Sequence, residues 1–215
     1  MKTTSRAAMP RRLPPEERER SIVDAAVALA AENGLEALTI RAIAARAGVT
    51  PALVAHYRPV MDTFVAEVFG AIVAAEREEV IVSYDPDADL RANLLHLIET
   101  LLDEHRDDVA VVWVQSWALG ARNEALAARV RAEMDLWQSA LEDLIARAIA
   151  DDPHTSVDPA SAAWMLLAMV DGMSAHSLVK WAPRDRPALA RRTLAAVLDI
   201  PADATAPDAH TSTDR

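Results

Sequence analysis

Most side chains that could perform chemistry in this sequence sit at the wrong spacing to do so. No two of the six histidines share a helical face at ligand spacing, so no metal site is expected. The absence of cysteine removes disulfides, thiolate sites and cysteine nucleophiles together. The acid pairs Asp107-Asp108 and Asp151-Asp152 fall at expected helix boundaries and read as caps, not as general acid-base pairs. There is no nucleophile elbow, glycine-rich phosphate loop or HExxH motif, so neither catalysis nor a cofactor is expected. What remains suits binding. It comprises the stretch Ile40 to Pro59, a set of tryptophans and methionines after residue 110, and Asp171 inside an apolar stripe.

The elements that must position these groups are helices. The chain has 215 residues, 52% apolar and 26% charged, with 5 glycines and 12 prolines and no alternating strand pattern. Nine helices are predicted: 15–33, 39–47, 50–58, 61–83, 90–105, 107–120, 123–150, 158–181 and 187–198. The breaks come from Asn33-Gly34, Gly48, Pro59, Tyr84-Asp85-Pro86, Asp151-Asp152-Pro153 and their like. The expected fold is all-α. A mobile tail (1–14) precedes a three-helix head (15–60), a larger helical body (61–200) and a second mobile tail (201–215).

Net charge is −11, but it is unevenly spread. Residues 1–60 hold nine Lys/Arg against six Asp/Glu, leaving −14 for the other 155 residues. A basic head on an acidic body directs phosphate contact to the head. The longest uncharged apolar run, Ala162 to Val170, is too short to span a bilayer, and Met1 to Pro10 lacks the apolar core of a signal peptide. A soluble, cytoplasmic protein without membrane partners is expected.

In the run I-R-A-I-A-A-R-A-G-V-T-P-A-L-V-A-H-Y-R-P (Ile40 to Pro59), Ala44 is small where two backbones must cross. Gly48 can adopt the positive φ of a tight turn. Ile43, Ala47, Val49, Val54 and Tyr57 can pack the two helices together. The spacing of Ala44, Gly48 and Val54 is that of a helix-turn-helix, whose second helix enters the DNA major groove; a generic helical hairpin is the alternative.

Leu38 to Tyr57, with the preceding A-A-V-A-L-A-A-E-N-G-L (Ala25 to Leu35), resembles the N-terminal domain of the tetracycline-repressor (TetR) family. Val112 to Ala118 and Asp171-Gly172 resemble part of that family's C-terminal domains. The resemblance implies a homodimeric one-component transcription regulator, a repressor, that reads a palindromic double-stranded operator and responds to a small molecule in its body. It implies that Thr39 and Arg41 approach phosphates, and that Thr50, Pro51, Ala52, Leu53 and His56 lie on or beside the groove surface. His56 is the expected base-edge reader. Tyr57 fits either a phosphate contact or packing, and Arg46 a solvated charge. The family usually has an aromatic where this chain has Arg58 and often a lysine where it has Met61, so Arg58 is expected to supply the missing phosphate contact.

In the body, Trp113, Trp117, Trp137 and Trp164 fall on apolar helix faces near Met134, Met165, Met169 and Met173. They read either as core or as the lining of a cavity for a largely apolar effector. Candidate effector contacts are Trp113, Trp117, Trp137, Met169, Asp171 and His176. Asp171 interrupts the stripe Trp164, Ala168, Ala175, Leu178 and must find a partner. A structural partner is the stronger expectation, a cationic effector group the other. Ala162 to Val170 is too hydrophobic all round for a helix with one face in water. The last two helices are therefore expected to build the dimer, with Leu166 and Leu194 in the seam. An all-helical enzyme or a protein-binding module remains the alternative for the body.

Overall fold

The computed structural model describes residues 14–82, 89–150 and 156–199. Among these residues there are nine α-helices and no strand. α1 (Pro15–Asn33), α2 (Ile40–Ala47) and α3 (Pro51–Tyr57) form the head. The body holds α4 (Met61–Val82), α5 (Leu90–Leu101), α6 (Asp107–Gly120), α7 (Glu124–Ala148), α8 (Pro159–Ser177) and α9 (Arg186–Val197). Except for Pro14, both expected tails lie outside the described residues, as do Ser83 and the breaks at 84–86 and 151–153.

Most helix starts are set by one oxygen. Thr39, Thr50, Asp89, Asn123, Asp158 and Asp185 each accept a backbone N–H two or three residues on, supplying one of the partners the first helical turn lacks. Two ends differ from expectation by a full turn. α5 stops at Leu101, short of His105, because Asp103 takes the backbone N–H of His105 at 2.8 Å and folds Glu104–Arg106 into a 3₁₀ turn. α8 stops at Ser177, short of Trp181, where the His176 carbonyl accepts from Val179 and Trp181 and Lys180 turns to φ 59°. A further 3₁₀ turn, Leu35–Ala37, links α1 to α2. It follows Gly34, whose φ of 79° would strain any other residue and where a Cβ would lie 2.4 Å from Gln115 Oε1.

Two apolar cores fill the molecule. The first joins Ile22 and Ala26 of α1, Ile43 of α2 and Val54 of α3 to Phe64 and Phe69 of α4, Val112 of α6 and Leu126 of α7. The packing of the head thus runs past residue 60 into the body. The second gathers Leu94 and Ile98, Leu141 and Ile145, Leu166 and Val170, and Leu194 from α5, α7, α8 and α9. Trp113 packs against both.

α8 is apolar on two faces. Ala162, Ala163, Leu166, Leu167, Val170 and Met173 are buried within the protomer. Trp164 is 59% and Met165 52% exposed, on the opposite side. This corrects the expected seam: Leu166 and Leu194 are fully buried core residues and do not reach the surface. Trp164 likewise leaves the internal apolar stripe for the surface.

Leu166→Ala should therefore lower the free energy of unfolding by about 2–5 kcal/mol, read as a reduced urea midpoint. An unchanged midpoint would remove Leu166 from the core.

Candidate functional site

The reading surface follows from the turn between α2 and α3. Gly48 sits at φ 63° and closes α2, its N–H bonded to the Ala45 carbonyl, while Val49 bonds back to Ala44. With Ala44 buried at the crossing and Val54 fully buried beneath α3, the opposite side of α3 faces outward. Thr50, Pro51, Ala52 and His56 are exposed and Leu53 is half-buried. Thr39 Oγ1 accepts from Ala42 N at 3.1 Å and Thr50 Oγ1 from Leu53 N at 3.3 Å. Each hydroxyl is a cap through its oxygen and keeps its own O–H to donate outward. Arg41 is exposed without an ion-pair partner among the described residues, beside a groove between the starts of α2 and α4 lined by Thr39, Met61 and Asp62. Tyr57 is half-buried, packs against the core of the head, and lies edge-on to His56 with ring centroids 5.4 Å apart. Arg46, expected in solvent, is joined to Glu32 by two hydrogen bonds.

Arg58, expected to reach a phosphate, is engaged within the protein. Its guanidinium turns inward and donates to Glu19 of α1, to Glu67 of α4 at 3.1 Å, and to the Tyr57 carbonyl. It also lies 5.2 Å over the Phe64 ring, and its side chain is only 17% exposed. Burial alone would lower its pKa, but the hydrogen bond it donates to Glu19 and the charges of Glu67 and Glu19 more than offset that, and the net shift is upward. The reason is local. Pro59 ends α3, and Arg58 just before it, the residue that closes the helix, reaches back to α1 and α4.

Two hydrogen bonds hold α6 and α7 at the junction of head and body, one reaching the head itself and one the start of α4. Gln115 of α6 accepts from the Glu36 backbone N–H at 3.2 Å. Asn123, the cap of α7, donates through Nδ2 to the Asp62 carbonyl at 3.1 Å.

The body encloses a cavity of about 60 Å³ between α4, α6, α7 and α8. Its walls are the indoles of Trp113, Trp117 and Trp137 with Leu101, Met134, Leu167 and Val170. Its polar groups are Glu76, Arg106, Asp171 and Ser174. Trp113 and Trp117, one turn apart, hold ring centroids 6.3 Å apart, and Trp113 stands edge-on to Phe69 at 5.2 Å. Glu76 accepts from Trp113 Nε1 at 2.9 Å and from Arg106 Nη2 at 3.1 Å. Asp171 lacks any hydrogen-bond partner among the described residues. Burial, and secondly the charge of Glu76, push its carboxyl up to about 6. The Trp117 indole N–H is also buried without a partner.

Four of the six expected effector contacts, Trp113, Trp117, Trp137 and Asp171, thus meet at one cavity. Met169 and His176 do not. Met169 packs on the edge of the second core, and His176 is exposed with its ring 4.7 Å from that of Trp181. Glu76 and Arg106 escaped the sequence reading. Glu76 carried a signal, since it interrupts the helical stripe Phe69, Val73, Val80 as Asp171 interrupts its own. Arg106 carried none.

Residues 22–68 match the family described as "Bacterial regulatory proteins, tetR family", and residues 88–199 match "BetI-type transcriptional repressor, C-terminal". The HTH-type transcriptional regulator BetI of Rhizobium meliloti (strain 1021) is 25% identical over 175 residues, covering 77% of this chain and 80% of that protein. Among solved structures, a putative transcriptional regulator from Pseudomonas aeruginosa PAO1 superposes with a TM-score of 0.72 at 21% identity, over 87% of this chain and 93% of that one. A putative transcriptional regulator from Saccharomonospora viridis, solved in complex with choline, gives 0.68 at 21% identity, over 86% and 95%. At these identities the structural likeness is one of fold.

Arg58→Ala should cost about 1–3 kcal/mol of stability through lost charged hydrogen bonds, while the salt dependence of DNA binding keeps its slope. His56→Ala should leave stability alone and cost about 1–3 kcal/mol on the operator only. Urea unfolding and binding titrations across salt, on specific and scrambled DNA, check both. A shallower salt slope in Arg58→Ala would return that side chain to the phosphates.

Proposed function

The chain belongs to the TetR family of bacterial transcriptional regulators, with a C-terminal half of the BetI repressor type, and we propose that it is a homodimeric repressor released from its operator by a small organic cation. The observation that carries the effector class is the cavity: three indoles around a carboxylate, Asp171, that lacks a protein partner among the described residues. Indole faces attract cations, and a buried carboxylate with no partner gains most from a positive guest. Choline in the Saccharomonospora viridis neighbour supports the same class. No helix among the described residues is long and apolar enough to cross a membrane, in keeping with action on DNA in the cytoplasm.

The cavity as it stands holds about four to six water molecules, so a larger guest enters only by moving a wall. α6 is the wall that matters, because it carries Trp113 and Trp117 on one side and Gln115 against the head on the other. Displacing it shifts the turn between α1 and α2, and with it the spacing of the two heads. The groove surface of the head comprises Thr39, Arg41, Thr50, Pro51, Ala52, Leu53 and His56 in this reading, with Tyr57 beside them.

The dimer covers the outer face of α8. Trp164 and Met165 there, with Val179 and Trp181 (75% and 70% exposed) just beyond it, form apolar surface that a second copy would bury. Two-fold symmetry then presents two α3 helices to successive major grooves of a palindrome.

Choline should quench the intrinsic tryptophan fluorescence and release operator DNA in a gel shift, and Asp171→Asn should weaken both at least tenfold. Because the empty-state carboxyl titrates near 6, choline affinity should be flat above about pH 7 and fall by up to tenfold per unit below 6. The other charged groups at the cavity, Glu76 from α4 and Arg106 ahead of α6, are paired with each other. Choline binding that ignores both the substitution and the pH would defeat the cation reading.

The wild-type protein should sediment as a dimer at micromolar concentration, and Trp164→Glu should yield a monomer with unchanged helical circular dichroism. A monomeric wild type would defeat the dimer.

A further inference from the structure

The charges around the cavity do not cancel. Both carboxylate oxygens of Glu76 are engaged, one by Arg106 Nη2 at 3.1 Å and the other by Trp113 Nε1 at 2.9 Å. Arg106 is held in place by its backbone, in the 3₁₀ turn that opens α6, with its N–H bonded to the Asp103 carbonyl at 3.1 Å. Its side chain is 14% exposed, and its second terminal nitrogen lies 3.7 Å from Glu79, whose carboxylate is largely in water. Glu76 and Arg106 therefore neutralise each other inside the cavity, and one negative charge, on Asp171, is left over. In an enclosed site of low dielectric such a surplus counts in whole charges, since any unmatched one bears its full desolvation cost.

Resting on the reading of this cavity as a cation site, we propose that Arg106 is the residue that sets how many positive charges an effector carries: it occupies Glu76, so that Asp171 alone is left to match a guest, and the site takes monocations and refuses dications. A second positive group would meet the Arg106 guanidinium where it needed a carboxylate. Without that guanidinium, Glu76 and Asp171 become a two-carboxylate site, close enough that the charge of Glu76 already raises the cost of ionising Asp171.

The test uses the full-length protein near pH 7.5, tryptophan fluorescence titrations, and two probes with equal numbers of non-hydrogen atoms, butylammonium and propane-1,3-diammonium, with choline as the control for the cation site. The wild type should bind butylammonium at least tenfold more tightly than the diammonium ion. Arg106→Met should shift that ratio at least tenfold toward the dication, and Arg106→Lys, which keeps the charge, should restore the wild-type ratio. Should Arg106→Met fail to fold, Glu76→Gln decides, because an uncompensated Arg106 should then weaken choline at least tenfold. A ratio unmoved in a folded Arg106→Met, or choline affinity unmoved in Glu76→Gln, overturns the role of Arg106 while choline binding by the wild type still upholds the cation site. Failure of the wild type to bind choline or butylammonium overturns both.

Discussion

The indole of Trp113 is the point at which the two apolar cores touch, and much of the molecule is arranged around keeping it still. Its ring stands edge-on to Phe69 in the core shared with the head, while its N–H is tied to Glu76 at the cavity. A buried indole N–H needs an acceptor, and a buried carboxylate needs donors. Each therefore satisfies the other, and Arg106 completes the set. The same contact thus positions α6 against α4, shapes the cavity wall and fixes the local charge. Close packing leaves such a residue little freedom to shift alone, so a displacement at the cavity is passed on as a shift of the helix.

Elsewhere, too, α4 is joined to its neighbours by ion pairs as well as by apolar packing. Glu133 of α7, 2% exposed, is gripped by Arg77 of α4 and by Arg129 one turn away on its own helix. The Arg129 guanidinium lies where a Cβ on Gly70 would stand, so the absence of a side chain at Gly70 lets the pair form. At the head, Arg58 does the equivalent between α1, the end of α3 and α4. Buried pairs of this kind add little net stability over apolar packing, but breaking one leaves a charge uncompensated. They hold helices in one register and resist intermediate ones. That property suits a long helix connecting a reading head to a ligand cavity.

Head and body are joined along three lines: the continuous core through Phe64 and Phe69, the Arg58 bond to Glu67, and the Gln115 bond to Glu36; the Asn123 bond to Asp62 ties α7 to the start of α4. The Gln115 and Asn123 bonds end at the edges of the proposed reading surface, next to the start of α2 and the start of α4. A small rotation of α6 or α7 therefore reaches the head through polar contacts that have a preferred length and direction, which apolar contacts lack.

The amino-acid sequence by itself determined what depends on neighbours along the chain. Caps such as Thr39, Thr50 and Asp158, the left-handed turn at Gly48 and the 3.6-residue periodicity are local physics, and they placed α1, α2, α3 and α6 closely. The spacing of Ala44, Gly48 and Val54 likewise carried the helix-turn-helix, because that motif is itself a local structure. Which face of α8 is inside was not legible, since a helix apolar all round gives no periodicity to choose by. Tertiary packing put Leu166 within and Trp164 without. Nor was the fate of long charged side chains. Arg58 and Arg106 have reach enough to turn either way, and their acids, Glu19 and Glu67 or Glu76, lie 39, 9 and 30 residues distant. Only the fold brings those carboxylates within hydrogen-bond distance, and charge-assisted hydrogen bonds then outweigh the solvent a free arginine would prefer.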